Sequence, residues 1–179
     1  MSNSAFCFVK PHANNEAVVE LVKSSLNQAG ITINKTGTIT GPQIDAQKLI
    51  DQHYYSIASK ATILDPTEIP VPEDKFEAKF GVTWKATLEA KKAANAMQAC
   101  EKFGITPAEL EKVWRVAEGQ NNITKFGGGF YCGLLIHEGV GLYVFNAFFM
   151  NMRGMYVGDE DAITYFSVTW DKEKLSWAG

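Results

Sequence analysis

The chain has 179 residues, 46% apolar and 21% charged, with 17 basic against 20 acidic side chains and a formal net charge of −3. That length suits one domain, or one domain with a sizeable insertion, and it can bury a core without disulfides or a structural metal. The composition excludes fibrous and disordered classes, the charge balance leaves no footprint for nucleic acid, and no apolar stretch is long enough for a membrane span. Cys7, Cys100 and Cys132 form no Cys-x-x-Cys pair and no zinc spacing with the histidines, so free thiols are expected. Met1-Ser-Asn-Ser4 has no basic leader region; with the free thiols, this predicts a cytoplasmic protein.

Residues 5–60 read as strand, helix, strand, helix. Ala5 to Val9 is a nearly continuous apolar run ending at Lys10-Pro11, which predicts a central strand buried on both faces. Asn14 or Asn15 can cap the next helix, whose Val18, Val22, Leu26 and Ala29 follow the helical period until Gly30. Ile31, Ile33 and Ile39 mark a second strand. Gly41-Pro42 then opens a helix with Ala46, Leu49, Ile50 and His53 on one face.

From about 62 to 125 the pattern changes. Pro66, Pro70 and Pro72 punctuate an extended linker, and helical patterns follow with Phe76 and Phe80, then Leu88, Ala93, Met97 and Cys100. Thr106-Pro107-Ala108-Glu109 is a capping box with proline at the first helical position, and Leu110, Val113, Trp114 and Ala117 form the apolar stripe behind it. Residues 126–179 hold 12 of the 21 aromatic side chains and no proline. Phe130–Ile136 and Leu142–Phe145 around His137-Glu-Gly-Val-Gly141 predict a β-hairpin. Asn146 is placed to cap a short helix bearing Phe148, Phe149 and Met152, and Ile163–Trp170 is a further strand.

Few residues invite chemistry on their own. Lys10 ends a strand where a side chain can meet phosphate in an open α/β sheet, though a solvated lysine is the plainer reading. His53 lies on an apolar helix face, as a packed histidine does, and Tyr54 offers a phenolic donor or a core cap. Lys125-Phe-Gly-Gly-Gly129 lacks the ending of a phosphate loop and reads as a flexible entry into the hairpin. Asp159-Glu-Asp161 reads as a solvated acidic turn, and His137 precedes a tight turn where exposed polar residues are ordinary.

Phe6-Cys-Phe-Val-Lys10-Pro11-His12-Ala13, followed by helix, strand and a helix ending His53-Tyr54, resembles the start of nucleoside diphosphate kinases. Ala147-Phe148-Phe149-Met-Asn-Met152 is similar to that family's Pro-Phe-Phe-x-x-Leu helix, and Ile163–Asp171 to the strand after it. The resemblance covers about half of the chain. It implies an α+β fold, a ferredoxin-like sandwich with residues 1–61 and 147–179 as core and 62–146 as a mainly helical insertion plus hairpin. Either an edge strand of the family's sheet is missing, or the hairpin supplies it.

The resemblance further implies a Mg-nucleotide ligand (ATP or ADP), with Lys10 on the transferred phosphate, Tyr54 supporting the phosphates, Phe148 stacking on the base and Met152 beside it. Asn146 stands where the family often has arginine. No catalytic residue and no protein metal ligand carries over. The family's late Asn-x-x-His-Gly-Ser-Asp segment, which holds the phosphoacceptor, has no counterpart, and neither Arg115 nor Arg153 falls at a matching position. The expectation is therefore a nucleotide-binding protein that is catalytically incomplete as this chain stands. The alternative is a non-catalytic interaction module on the same scaffold, forming a homo-oligomer or meeting a protein partner through the aromatic-rich last third.

Overall fold

The structure is a computed structural model describing residues 2–177; Met1, the first residue of the Met1–Ser4 segment read above, and Ala178 and Gly179 lie outside the described residues. In chain order the elements are β1 (Ser2–Val9), α1 (Glu16–Gln28), β2 (Thr32–Thr40), α2 (Gly41–Ala46), α3 (Leu49–His53), α4 (Tyr55–Ala58), α5 (Glu73–Phe80), α6 (Trp84–Glu89), β3 (Ala93–Asn95), α7 (Ala96–Phe103), α8 (Pro107–Gly119), β4 (Ile123–Gly127), β5 (Phe130–His137), β6 (Val140–Phe145), α9 (Phe148–Val157) and β7 (Ala162–Asp171). Mixed helix and strand with two separate sheets make this an α+β protein.

Two compact units divide the chain, Met1–Lys48 with Met155–Gly179, and Leu49–Gly154. The sequence reading put the divisions at 61/62 and 146/147 instead. The difference at the first boundary has a local cause. Lys48 takes a left-handed φ of 52°, which breaks the single helix expected after Gly41 into short pieces. The π-turn Ser59–Ile63 that follows packs on β3 and α7, drawing residues 49–63 into the second unit.

In the first unit β7 is the middle strand, antiparallel to both β1 and β2. β1 and β2 run parallel to each other and are joined through α1, a split β-α-β arrangement. The Asn15 side chain caps α1 by accepting from the Val18 N–H at 3.0 Å. Val18, Val22 and Leu26 then pack with Val9, Phe166, Val168 and Trp170. β1 is thus an edge strand, not the central strand expected. Its apolar run resolves into two faces, Ala5, Cys7 and Val9 with the α1 core, and Phe6 and Phe8 with Tyr165 and Tyr156. Gly41 is required where α2 begins, because a Cβ there would run into the Gly158 carbonyl oxygen.

The second unit contains a four-stranded sheet in the order β3-β6-β5-β4, with β3 parallel to β6 and the other pairs antiparallel. The expected hairpin is present as β5 and β6. Glu138 and Gly139, at φ 47° and 80°, make the paired left-handed turn that suits the strands' twist. It belongs to this sheet and is not an edge strand of the first one. The region read as a mainly helical insertion therefore has its own β core. Phe76 is its hub, with Phe80, Trp84 and Tyr143 at ring separations of 4.9, 5.1 and 5.1 Å. α8 follows the capping-box expectation: the Thr106 hydroxyl accepts from the Glu109 N–H at 3.3 Å, and Leu110, Trp114 and Ala117 are buried.

Among the described residues no helix is long and apolar enough to cross a membrane.

Candidate functional site

A cleft of about 430 Å³ opens in the second unit, lined by Ile57, Trp114, Arg115, Glu118, Ile123, Gly129, Tyr131 and Phe148. That volume lies in the range of small-molecule sites. Its walls come from α4, α8, β4, β5 and α9. Trp114 is set by α8, whose apolar stripe packs on β5; the indole lies against Gly133, where a side chain would meet it at 3.0 Å. Phe148 stands 6.0 Å from Trp114 and 5.6 Å from Tyr131, edge-on to the latter at 88°. The three rings form an aromatic corner with a polar rim.

Arg115 and Glu118 supply the rim. The Arg115 Nε donates to Glu111 Oε1 at 2.8 Å and its Nη1 to Glu118 Oε2 at 2.9 Å. These partners raise the guanidinium's already high pKa, so it stays charged at any working pH. Lys125 places its ammonium 5.5 Å from the centre of the Tyr131 ring, a cation–π contact.

Asn146 holds this cleft together, a different task from the helix cap expected of it. Its side chain is fully buried, and its backbone sits at a left-handed φ of 48°. Oδ1 accepts from the Tyr131 N–H at 2.9 Å, while Nδ2 donates to the carbonyls of Ile57 and Gly129, each at 2.9 Å. All three partners line the cleft. The residue read as a helix cap is instead the clasp joining α4, the glycine turn and β5. The available signal was an Asn between a strand and an aromatic helix, where a left-handed residue ends the strand.

A second buried polar group lies in the same unit. Asp51, 1% exposed, accepts from the Arg153 Nε at 3.1 Å on Oδ1 and 3.0 Å on Oδ2, and from the Thr62 hydroxyl at 2.7 Å. No local pattern pairs Asp51 with Arg153, 102 residues apart, and the apolar stripe of the helix points to His53 instead. His53 is exposed, its ring 4.7 Å from that of Tyr54, so the packed-histidine expectation is corrected. Asp51 occupies the buried side of α3 instead.

Of the residues carried over from the resemblance, Phe148 lines the cleft. Met152 is half-buried one turn further along α9. Tyr54, half-buried, precedes α4 by one residue and Ile57 by three. Lys10 is exposed in the first unit, where it starts a short 3₁₀ turn. The other three belong to the second unit, so no single unit holds all four. The crevice argument for Lys10 also changes, because its strand edges an antiparallel sheet and not a parallel one.

Lys125-Phe-Gly-Gly-Gly129 is more ordered than a flexible entry: Ile123–Gly127 is β4, and Gly129 at φ 64° turns the chain into β5. His137 packs 5.6 Å from Phe103 before its tight turn. Asp161 accepts from the Gly158 N–H at 3.1 Å, which makes the acidic segment a self-capped turn. No group of three or more His, Cys, Asp or Glu that could hold a metal occurs among the described residues.

Compared with known families, curated proteins and solved structures, the chain matches no protein family, no curated protein and no solved structure.

Proposed function

We propose that this chain is a nucleotide-binding protein of nucleoside-diphosphate-kinase-like type that does not complete phosphoryl transfer with its own residues. One observation carries the reading. Phe148, the side chain matched to the base-stacking position, stands with Trp114 and Tyr131 in a cleft of about 430 Å³. A planar base can stack on the half-buried Phe148 or Tyr131 ring, with the buried Trp114 packed behind them, because every base offers a π-face, worth about 1–3 kcal/mol per base. Arg115 lines the cleft and Lys125 lies over the Tyr131 ring, and they are the candidates for phosphate. The split β-α-β of the first unit supports the ferredoxin-like part of the reading.

Phosphoryl transfer needs more than a bound base. It needs positioned donors around the γ-phosphate and, for a covalent route, a nucleophile in line with it. Among the described residues, the cleft is lined by no histidine, cysteine, serine or threonine. Losing even one stabilising donor typically costs about 100- to 1,000-fold in rate. The three free cysteines support a reducing compartment, such as the cytoplasm, as part of the same proposal.

Calorimetry with Mg-ADP and Mg-ATP tests the reading. The expected result is saturable binding weakened at least tenfold by Phe148→Ala. Absence of heat with both nucleotides refutes nucleotide binding, and unchanged affinity in Phe148→Ala removes the cleft from it.

The alternative of an interaction module loses part of its basis in the last third. Phe126, Phe130, Phe145, Phe149 and Phe166 are core residues. What favours it now is the first unit, where Phe6 is 55% exposed on an edge strand.

A further inference from the structure

The two edges of the first unit's sheet are built differently. β2 carries the usual defences against unwanted pairing: its register slips between Ile33 and Lys35, and Lys35 itself is exposed. β1 has none of them. Its eight residues, Ser-Asn-Ser-Ala-Phe-Cys-Phe-Val, include no charge, no proline and no glycine. They pair with β7 in unbroken register from Ser2↔Asp171 to Val9↔Thr164. The only strand beside β1 among the described residues is β7. A long, neutral, regular edge is a template for another strand.

Two further observations place uncovered apolar surface in the same unit. Phe6 is 55% exposed, with its ring stacked on Tyr165 at 5.3 Å and 24°. The Tyr165 ring lies so close over Gly37 that a Cβ there would meet it at 2.8 Å, which fixes a flat aromatic surface beside Phe6. On the opposite face, α1 is the helix of this core, yet it contains no fully buried residue, and its Leu21 is 64% exposed.

We propose that β1 pairs antiparallel with β1 of a second copy of this chain, about a two-fold axis passing at Phe6, so that two three-stranded sheets become one of six. A two-fold axis perpendicular to the sheet keeps every side chain on its own face, so only residues of one face can oppose each other. Of the registers this allows, the one centred on Phe6 sets the most exposed ring of the strand against its own copy. It also sets Ala5 against Cys7 and Ser4 against Phe8. The occupant is a second copy because the edge is neutral and therefore meets no like charge in itself, whereas an acidic or basic peptide gains no counter-charge from it. The same axis puts both α1 helices on one face, flanking the junction over Ala5 and Cys7.

Sedimentation equilibrium of the full chain at micromolar concentration tests this. The expected mass is twice that of the chain. Phe6→Lys sets two ammonium groups face to face and is expected to weaken the dimer at least tenfold, leaving the far-ultraviolet circular dichroism unchanged. Ser4→Lys, at an exposed position on the same strand, is the second disrupting variant should Phe6→Lys fail to fold. Lys35→Ala, on the β2 edge, should leave the mass at twice the chain. In a Cys7→Ser background, Phe6→Cys should give a covalent dimer on mild oxidation. A monomeric wild-type chain overturns the proposal. So does a dimer that survives both lysine variants, since it uses another surface, and a dimer without the Phe6→Cys cross-link overturns the register.

Discussion

Asn146 offers the sharpest test of how the cleft is built. The Asn146→Gly substitution removes the side chain while suiting the left-handed φ of 48°. It leaves the half-buried Tyr131 N–H and carbonyls of Ile57 and Gly129 without the 2.9 Å partners that the fully buried amide supplied. Each buried polar group left unmade costs about 1–3 kcal/mol, and water entering the vacated amide space recovers part of that, so the expected loss is about 3–5 kcal/mol. Asn146→Ala meets the same loss and adds the strain of a Cβ in left-handed backbone, about 1–2 kcal/mol. Asn146→Asp keeps the acceptor for Tyr131 but turns a carboxylate oxygen on two carbonyls, so it should be the worst of the three.

Urea denaturation followed by tryptophan fluorescence measures these differences, because Trp84 and Trp114 report on the second unit. Amide exchange at Tyr131 reports the single donor directly. The expected order of stability is wild type, Gly, Ala, Asp, with accelerated exchange at Tyr131 in the Gly and Ala variants. The clasp argument fails if Asn146→Gly stays within about 1 kcal/mol of wild type, the ordinary scatter of surface substitutions being about half that. The backbone argument fails separately if Ala and Gly are equally stable.

Other substitutions test other parts of the structure. Arg153→Met should cost about 3–5 kcal/mol by stranding the Asp51 carboxylate, and adding Asp51→Leu should recover most of it, as read by thermal melts. Gly41→Ala should destabilise the first unit by about 1–3 kcal/mol, because the new methyl group collides with backbone at Gly158 and not with a movable side chain. Burial raises the Cys100 thiol to about 11, so its contribution is complete below the ordinary thiol value near 8.5 and lost as pH climbs toward 11. Cys100→Ser should therefore flatten the alkaline limb of a stability profile. Hydrogen bonds from Thr67 lower the Asp65 carboxyl, so its support is present above the usual carboxylate range and fades as pH falls through the lowered value. Asp65→Asn should flatten the acid limb.

What could be read from the sequence was what local chemistry decides. Asn15, the Thr106–Glu109 box and the Glu138-Gly139 turn each announce themselves within four residues, and each is present. β3 did not announce itself. Ala93-Ala94-Asn95 is three residues of mainly helix-forming type, and only pairing with Tyr143–Phe145 makes it a strand. β1 misled in the opposite way, because aromatic residues on its open face imitate a strand buried on both sides. The cleft shows the same limit. Phe148 was named from the resemblance, but Trp114 looked like core stripe and Tyr131 like hairpin, and they meet only through long-range folding.

The buried arginine and the rim arginine bear on what the cleft can do. Arg153 is spent on Asp51 deep in the second unit, so its charge supports the fold. Arg115 is held by two carboxylates, which leaves it cationic yet largely neutralised toward an incoming phosphate. Lys125 remains as the cation beside the rings with no ion pair among the described residues. On the proposed nucleotide reading, a base would be held mainly by stacking, which tolerates weak charge, with little positive charge offered to a γ-phosphate. The same reasoning separates two outcomes in the laboratory: nucleosides should retain most of the affinity of their diphosphates, and added salt should weaken both only slightly. A steep loss on removing the phosphates would instead mean that phosphate recognition is complete, and that cations beyond the cleft take part.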